Sequence, residues 1–324
     1  MPILTSRRRL LTMAAAAVCP VPAALAQTYP AKPIRILVGF APGGSTDIVA
    51  RLIAQELGTD LAKPVVVDNK AGAGGRIAAE AAAASAPDGY TLLLGTAGSV
   101  VQLATGEKAS FDLMKDLTPI VLLADNPHVL VVHPSVQAKT VQEFAVFAKS
   151  RGDVAYASAG EYTSLHVAGA LFGAVAGAKM LHVPYKSGGA ALTDLLSGRV
   201  PMMFADLPTI LPQVKSGALR AIAVTGQKRS PLLPEVPTMA EGGFGSVDTS
   251  SWFGLMAPAG TPAAVLDLLN ARVNAILPRN AVRARFTDLG LTPIGGTPAQ
   301  YSAFLRSNVD FWKKAVALTG TRLQ

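Results

Sequence analysis

One cysteine, Cys19, is the whole thiol inventory of this 324-residue chain, and aromatic residues make up 6% and charged residues 15% of it. A single thiol closes no disulfide within the chain and builds no Cys-ligated metal site. So few aromatics argue against a stacking platform for single-stranded nucleic acid. Common enzyme signatures are missing too: there is no Gly-x-Ser-x-Gly nucleophile elbow, no phosphate-binding Walker loop and no H-E-x-x-H pair. His128, His133, His166 and His182 are the four histidines, and none stands at metal-ligand spacing from another. No pair of carboxylates stands out for acid–base work. Neither a metal nor a cofactor is expected, and no catalytic residue is assigned.

What is present is apolar and punctuated. Half of the residues are hydrophobic, which excludes a disordered chain, while 30 glycines and 23 prolines interrupt it too often for a coiled coil. The formal charge of +8 would ordinarily point to nucleic acid or an anionic membrane. Its placement argues otherwise. Arg7, Arg8 and Arg9 lie in an acid-free segment, Leu10 to Val18 is a short apolar run, and Ala24-Leu25-Ala26 offers small residues at −3 and −1 of a cleavage site. That grammar is a secretory signal peptide over residues 1–26, cleaved after Ala26. The run is too short and too proline-broken for a membrane anchor. Ser6 to Leu11 fits a twin-arginine signal about as well as a Sec signal, although Leu10 stands in place of the usual Phe. Losing three arginines from 29 bases leaves 26 against 21 acids, a net charge of +5 on a cysteine-free mature chain expected in the periplasm. The remaining bases are scattered, so no nucleic-acid partner is expected.

Beyond residue 27 strands and helices alternate. Ile34 to Val38 reads as a strand closing on Gly43-Gly44, followed by helical spacing from Thr46 to Leu57. Val65 to Val67 leads into Gly72-Ala73-Gly74-Gly75 and an alanine-rich helix through Ala86, and Tyr90 to Leu94 is a third strand. Two βα units feeding a third strand imply a parallel sheet with helices on its faces. After apolar runs at 120–124 and 129–132, split by Asp125-Asn126-Pro127, a second such series runs to Val224. Residues 225–251 read as an irregular crossing, Trp252 to Met256 as a strand, and the last quarter as three helices. The predicted organisation is α/β, with residues 27–125 plus 226–324 as one lobe, 126–225 as the other, and two crossings hinging a cleft.

Ligands of parallel α/β sheets sit at the carboxyl ends of strands, where helix N-termini present N–H groups and partial positive charge. Glycines recur at such corners here: Gly43-Gly44, Gly74-Gly75, Gly95, Gly160 and Gly188-Gly189. Asp47, in the first turn after Gly43-Gly44, is placed to accept backbone N–H bonds and fix that loop. Ser158, Thr163, Ser164 and His166 cluster around a second helix start, where the His is equally a ligand donor or a structural hydrogen-bonder.

In order and spacing these motifs resemble the substrate-binding proteins of tripartite tricarboxylate transporters, the Bug-type receptors. The marks are Phe40-x-Pro42-Gly43-Gly44-x-x-Asp47, Asn69-x-x-Gly72-Ala73-Gly74-Gly75, Pro87-Asp88-Gly89-Tyr90, Tyr156-Ala157-Ser158-x-Gly160, His182-Val183-Pro184-Tyr185-Lys186 and Trp252-x-Gly254-Leu255-x-Ala257-Pro258. The resemblance implies a type II periplasmic-binding-protein fold and a small organic acid held by loop amides and hydroxyls. It also implies delivery to membrane permease subunits by a monomeric receptor. Matched by position, the ligand contacts would be Phe40, Pro42, Gly43, Asp47, Gly74, Gly75, Thr96 and Ala97 from the first lobe. Ser158, Gly160, Thr163, Ser164, His166, Lys186 and Asp206 would face them. The chain departs from the family pattern over residues 98–112, where Leu113 replaces the proline expected after Phe111-Asp112. Two alternatives stand beside this reading: a secreted α/β hydrolase or lyase using Ser158 or Ser164 with His166, and a receptor that signals to a sensor protein.

Overall fold

The computed structural model describes residues 29–106 and 111–319, so the export segment and residues 107–110 of the atypical stretch lie outside it. The strands are β1 (Ile34–Val38), β2 (Val65–Asn69), β3 (Thr91–Thr96), β4 (Leu117–Val132), β5 (Val154–Ser158), β6 (Met180–Pro184), β7 (Met202–Asp206), β8 (Arg220–Val224), β9 (Ser250–Pro258) and β10 (Thr292–Gly295). The helices are α1 (Ser45–Leu61), α2 (Arg76–Ala83), α3 (Ala97–Thr105), α4 (Leu113–Asp116), α5 (Val141–Arg151), α6 (Ser164–Ala176), α7 (Gly188–Leu196), α8 (Leu207–Lys215), α9 (Ala263–Ile276), α10 (Asn280–Asp288) and α11 (Pro298–Leu318). Strand order is β2-β1-β3-β9-β4-β7-β5-β6, with β8 and β10 also pairing β4.

As the alternation predicts, β2, β1 and β3 are parallel. Strand β9 then enters antiparallel between β3 and β4. The two apolar runs around Asp125-Asn126-Pro127 are one sixteen-residue strand rather than two. Proline cannot donate to a ladder. Pro127 is tolerated because it forms the last pair with β9, opposite Ser250, and from His128 onward β4 pairs with β7 and, from Val129, β8. One strand therefore serves both halves of the molecule. The second passage between them runs from β8 to β9 through residues 225–249, which hold only an isolated bridge between Val224 and Thr238.

Apolar spacing positions the rest. Val49, Ile53 and Leu57 of α1 pack with Ile36, Leu255, Leu269 and Phe286 in one core, and Val131, Met203, Ile210 and Leu195 form another in the opposite half. Helix α11 packs on α3, α6 and β4, and so touches both halves. It does so through Tyr301, Leu305 and Trp312, with Trp252 edge-on to Tyr301 at 5.8 Å. Three helices escaped the sequence reading: α3, the four-residue α4 and α8. In α8, Pro208 and Pro212 read as breakers, yet Pro208 sits in the first turn, where its missing N–H is not needed. Helix α3 starts directly from the end of β3, without an intervening loop to mark it.

Candidate functional site

Five helices begin at one place. The residues that precede α1, α3, α6, α7 and α8, namely Gly44, Thr96, Thr163, Ser187 and Asp206, all line a single small chamber between the halves. Each follows the carboxyl end of a strand, directly or after a short turn, so the five positive helix ends converge. Thr163 and Ser187 cap their own helices, accepting from the N–H groups of His166 and Ala190. Gly44, Thr96 and Asp206 make no side-chain cap, so the first N–H groups of α1, α3 and α8 are left for other acceptors. Among the described residues, eight hydroxyl-bearing ones line the chamber and its only ionisable one is Asp206; none of its lining residues is Lys, Arg or His. Its room is about 30 Å³, on the order of one or two waters.

The halves touch around it. Ala41 donates its N–H to the Lys186 carbonyl at 3.1 Å, the Ser45 hydroxyl donates to the Asp206 carboxylate, and the Ser164 and Ser251 hydroxyls meet at 3.0 Å. Outside the chamber a wider space of about 610 Å³ is walled by residues 39–41 and 72–74 of one half and 159–161, 184–186 and Ala190 of the other. Phe40 and Ala159 line both spaces and separate them.

The predicted residues divide accordingly. Phe40, Thr96, Thr163, Ser164 and Asp206 line the inner chamber, while Gly74, Gly160 and Lys186 border the outer space. Pro42 and Gly43 are exposed beside them. Asp47 lines neither. Its buried carboxylate accepts from Gly43 N–H at 3.1 Å, from Arg51 Nε at 2.9 Å and from Asn69 Nδ2 at 2.9 Å, and Asn69 also donates to the Phe40 carbonyl at 3.0 Å. Burial pushes this carboxyl up, but the bonds from Arg51, Asn69 and Gly43 outweigh it and hold the pKa below the ordinary carboxylate range. Gly75 sits at φ +99°, a conformation that favours glycine, with the Phe40 ring 3.5 Å from its Cβ position, an ordinary contact distance. Ala97 is buried as the first residue of α3 and is not among the chamber-lining residues.

Ser158 and His166 also lie off the chamber. Ser158 is fully buried, donates to the Gly160 carbonyl, accepts from the Gly160 N–H and stands 2.6 Å from His182 Nε2. His166 stacks on His182 with centroids 3.6 Å apart and accepts the Tyr162 N–H at Nδ1. Burial, then the neighbouring ring, lowers the His166 pKa to about 3, and burial lowers that of His182 to about 4. Both are neutral at pH 7. The Ser–His pairing of the hydrolase alternative is therefore not the one present: Ser158 meets His182, and Ser164 meets Ser251.

Ser45, Thr46, Ser187, Thr209, Ser251 and Phe253 line the chamber without having been named as contacts. Ser45, Thr46 and Ser187 border the glycine corners, and that adjacency was the available signal. Ser251 and Phe253 lie on a strand whose sequence carries no such mark.

The model of the tripartite tricarboxylate transporter family receptor matches residues 49–320. Protein BugT of Bordetella pertussis is 40% identical over 92% of this chain and 93% of its own length. Among solved structures, Rhodopseudomonas palustris Rpa4515 with adipate superimposes with a TM-score of 0.87 at 33% identity, covering 90% of this chain and 98% of that one. MatC (Rpa3494) of Rhodopseudomonas palustris, with bound malate, gives 0.86 at 32% identity, covering 89% and 100%.

Proposed function

The chain belongs to the tripartite tricarboxylate transporter receptor family, with its two-lobed periplasmic-binding-protein fold, and from that premise we propose that it captures a small organic acid in the interlobe cleft, at the inner chamber and the wider space beside it, and hands it to membrane permease subunits. The observation that carries this reading is the meeting of five helix N-termini at a chamber whose lining, among the described residues, holds no basic side chain. Backbone N–H groups and helix dipoles recognise a carboxylate without a guanidinium clamp. The relatives bound to adipate and malate put dicarboxylates first among the candidates.

In this reading the lobes are residues 27–125 plus 226–324 and residues 126–225, and no chemistry is performed. Supporting the last point, Ser158 is fully buried off the chamber, bonded to Gly160 and to His182, and the Ser164 hydroxyl meets Ser251. The receptor is exported through the signal peptide over residues 1–26 and acts as a monomer in the periplasm. Phe40, Thr96, Thr163, Ser164 and Asp206 contact the ligand; Pro42, Gly43, Gly74, Gly75, Gly160 and Lys186 shape its entrance; Asp47 fixes the first loop. Ala97, Ser158 and His166 hold the strand ends behind it.

Thermal denaturation of the mature protein with mono-, di- and tricarboxylates, aromatic acids and amino acids tests the assignment. A ligand at a hundredfold excess over its Kd stabilises by about 2.7 kcal/mol, a shift of several degrees. If no acid raises the midpoint, the carboxylate reading is wrong. N-terminal sequencing of the secreted product tests cleavage after Ala26.

A further inference from the structure

A receptor for anions that places a carboxylate in its own chamber has a selectivity built into it. Asp206 stands at the N-cap of α8, yet its side chain does not cap that helix. It turns instead to the Ser45 hydroxyl across the cleft and to His128 Nδ1 at 3.2 Å. It is 7% exposed and, among the described residues, is the only ionisable one lining the chamber. A carboxylate has about four acceptor positions. Two are accounted for by these partners, which leaves acceptor capacity for the chamber. One turn along α8, the Thr209 hydroxyl also lines the chamber, buried to more than nine-tenths and without a hydrogen-bond partner. It lies beside Gly188, the first residue of α7, whose Cβ would fall 3.7 Å from its oxygen.

We propose that Asp206, with Thr209, makes the receptor selective for small acids that carry a hydrogen-bond donor, a hydroxyl or an ammonium group, over saturated acids of the same length. The inference rests on the carboxylate reading above and names the class of acid. A saturated dianion presents only acceptors, and any of its oxygens directed at Asp206 meets like charge with no cation in the lining to offset it. A donor on the ligand turns the same contact into a charge-assisted hydrogen bond. It also satisfies a buried acceptor that would otherwise lose its water for nothing. The anionic end of the ligand goes to the uncapped starts of α1 and α3, and the donor goes to the start of α8. Were Asp206 only a structural link between Ser45 and His128, the ligand's second substituent would make no difference to binding.

Titration calorimetry with two matched series at pH 7.5 separates these cases: succinate, malate and aspartate, then glutarate, 2-hydroxyglutarate and glutamate. The wild type is expected to bind a donor-bearing member at least tenfold more tightly than the saturated acid of its series. In Asp206→Asn, which keeps the shape and removes the charge, the ratio falls below about threefold as the saturated acid gains and the ammonium ligand loses. Asp206→Ser, which also removes the charge and places a favourable N-cap residue before α8, provides the same comparison if the amide variant folds poorly. Equal wild-type affinities within both series overturn the proposal, and so does a ratio that survives loss of the charge. If the tightest acid of the wider panel carries no donor, the selectivity is wrong while the receptor reading stands. If no acid binds at all, the receptor reading fails and takes this inference with it.

Discussion

Closure of the cleft can be tested at one atom. Gly74 has φ +60° and lies against the opposite half, where a Cβ would come well inside 3.0 Å of the Glu161 carbonyl oxygen. The Gln102 amide, 3.0 Å from the same position, is the end of a flexible side chain and can give way. The Glu161 carbonyl is backbone, so relieving the overlap requires the two loops to part by roughly 1 Å to reach ordinary van der Waals separation. Gly74→Ala therefore has two costs. Left-handed backbone costs about 1–2 kcal/mol for alanine, whether the halves are together or apart. Overlap with Glu161 costs a further ~1–3 kcal/mol, and only when they meet. The second term enters the dissociation constant as a rise of roughly 5- to 150-fold. Gly43 is the internal control: φ is +87° and nothing lies within 4 Å of its Cβ position. Gly43→Ala should lower the melting temperature by a similar margin while leaving Kd within about twofold, since the strain is common to both states. Calorimetric titration of both variants with the tightest acid of the panel decides the matter. Equal Kd values for the two would show that the contact between Gly74 and Glu161 plays no part in the bound state.

Three further outcomes are expected. Asp47→Ala frees the Gly43 N–H and Arg51 together and should weaken binding by ~1–2 kcal/mol, the usual worth of a lost cap, with the far-ultraviolet circular dichroism unchanged; an unaltered Kd removes Asp47 from loop positioning. The stacked imidazoles of His166 and His182 have pKa values of about 3 and about 4 when folded, against 6.5 for the free side chain. The unfolded chain then binds more protons below pH 6.5, so stability is full above that value and falls as the pH drops towards 4, by about 2 kcal/mol per ring at pH 5. Melting temperatures from pH 7 to 5 should decline less steeply in His182→Gln than in the wild type, and parallel slopes would refute the assignment. Finally, Asn308 Oδ1 accepts from both Trp252 Nε1 at 2.8 Å and Trp312 Nε1 at 3.0 Å. Asn308→Ala leaves two buried indole donors unpaired and should lower unfolding free energy by ~2–4 kcal/mol without changing Kd; a denaturant midpoint near that of the wild type would contradict it.

Much of the fold was legible because it is written locally. Strand β1 and helix α6 begin and end where periodicity places them, and the glycine corners mark the ends of β1, β2 and β6. What was misread is also instructive. Asp125-Asn126-Pro127 carries every local sign of a break, and β4 runs through it because two different neighbours take up the strand on either side. Strand β7 ends at Asp206, which brings that carboxylate to the strand end.

The sequence by itself determined the succession of strands and helices, the glycines that let loops approach each other, and the motif order that identifies the family, since each depends on neighbours within a few residues. Only the tertiary structure decided that five separate helix starts converge on one chamber and that Asp206 faces Ser45, 161 positions away. It alone decided that Ser158 meets His182 instead of His166. Those are juxtapositions of distant segments, set by strand order and by where β4 changes partners. Neither leaves a trace in the spacing of residues along the chain.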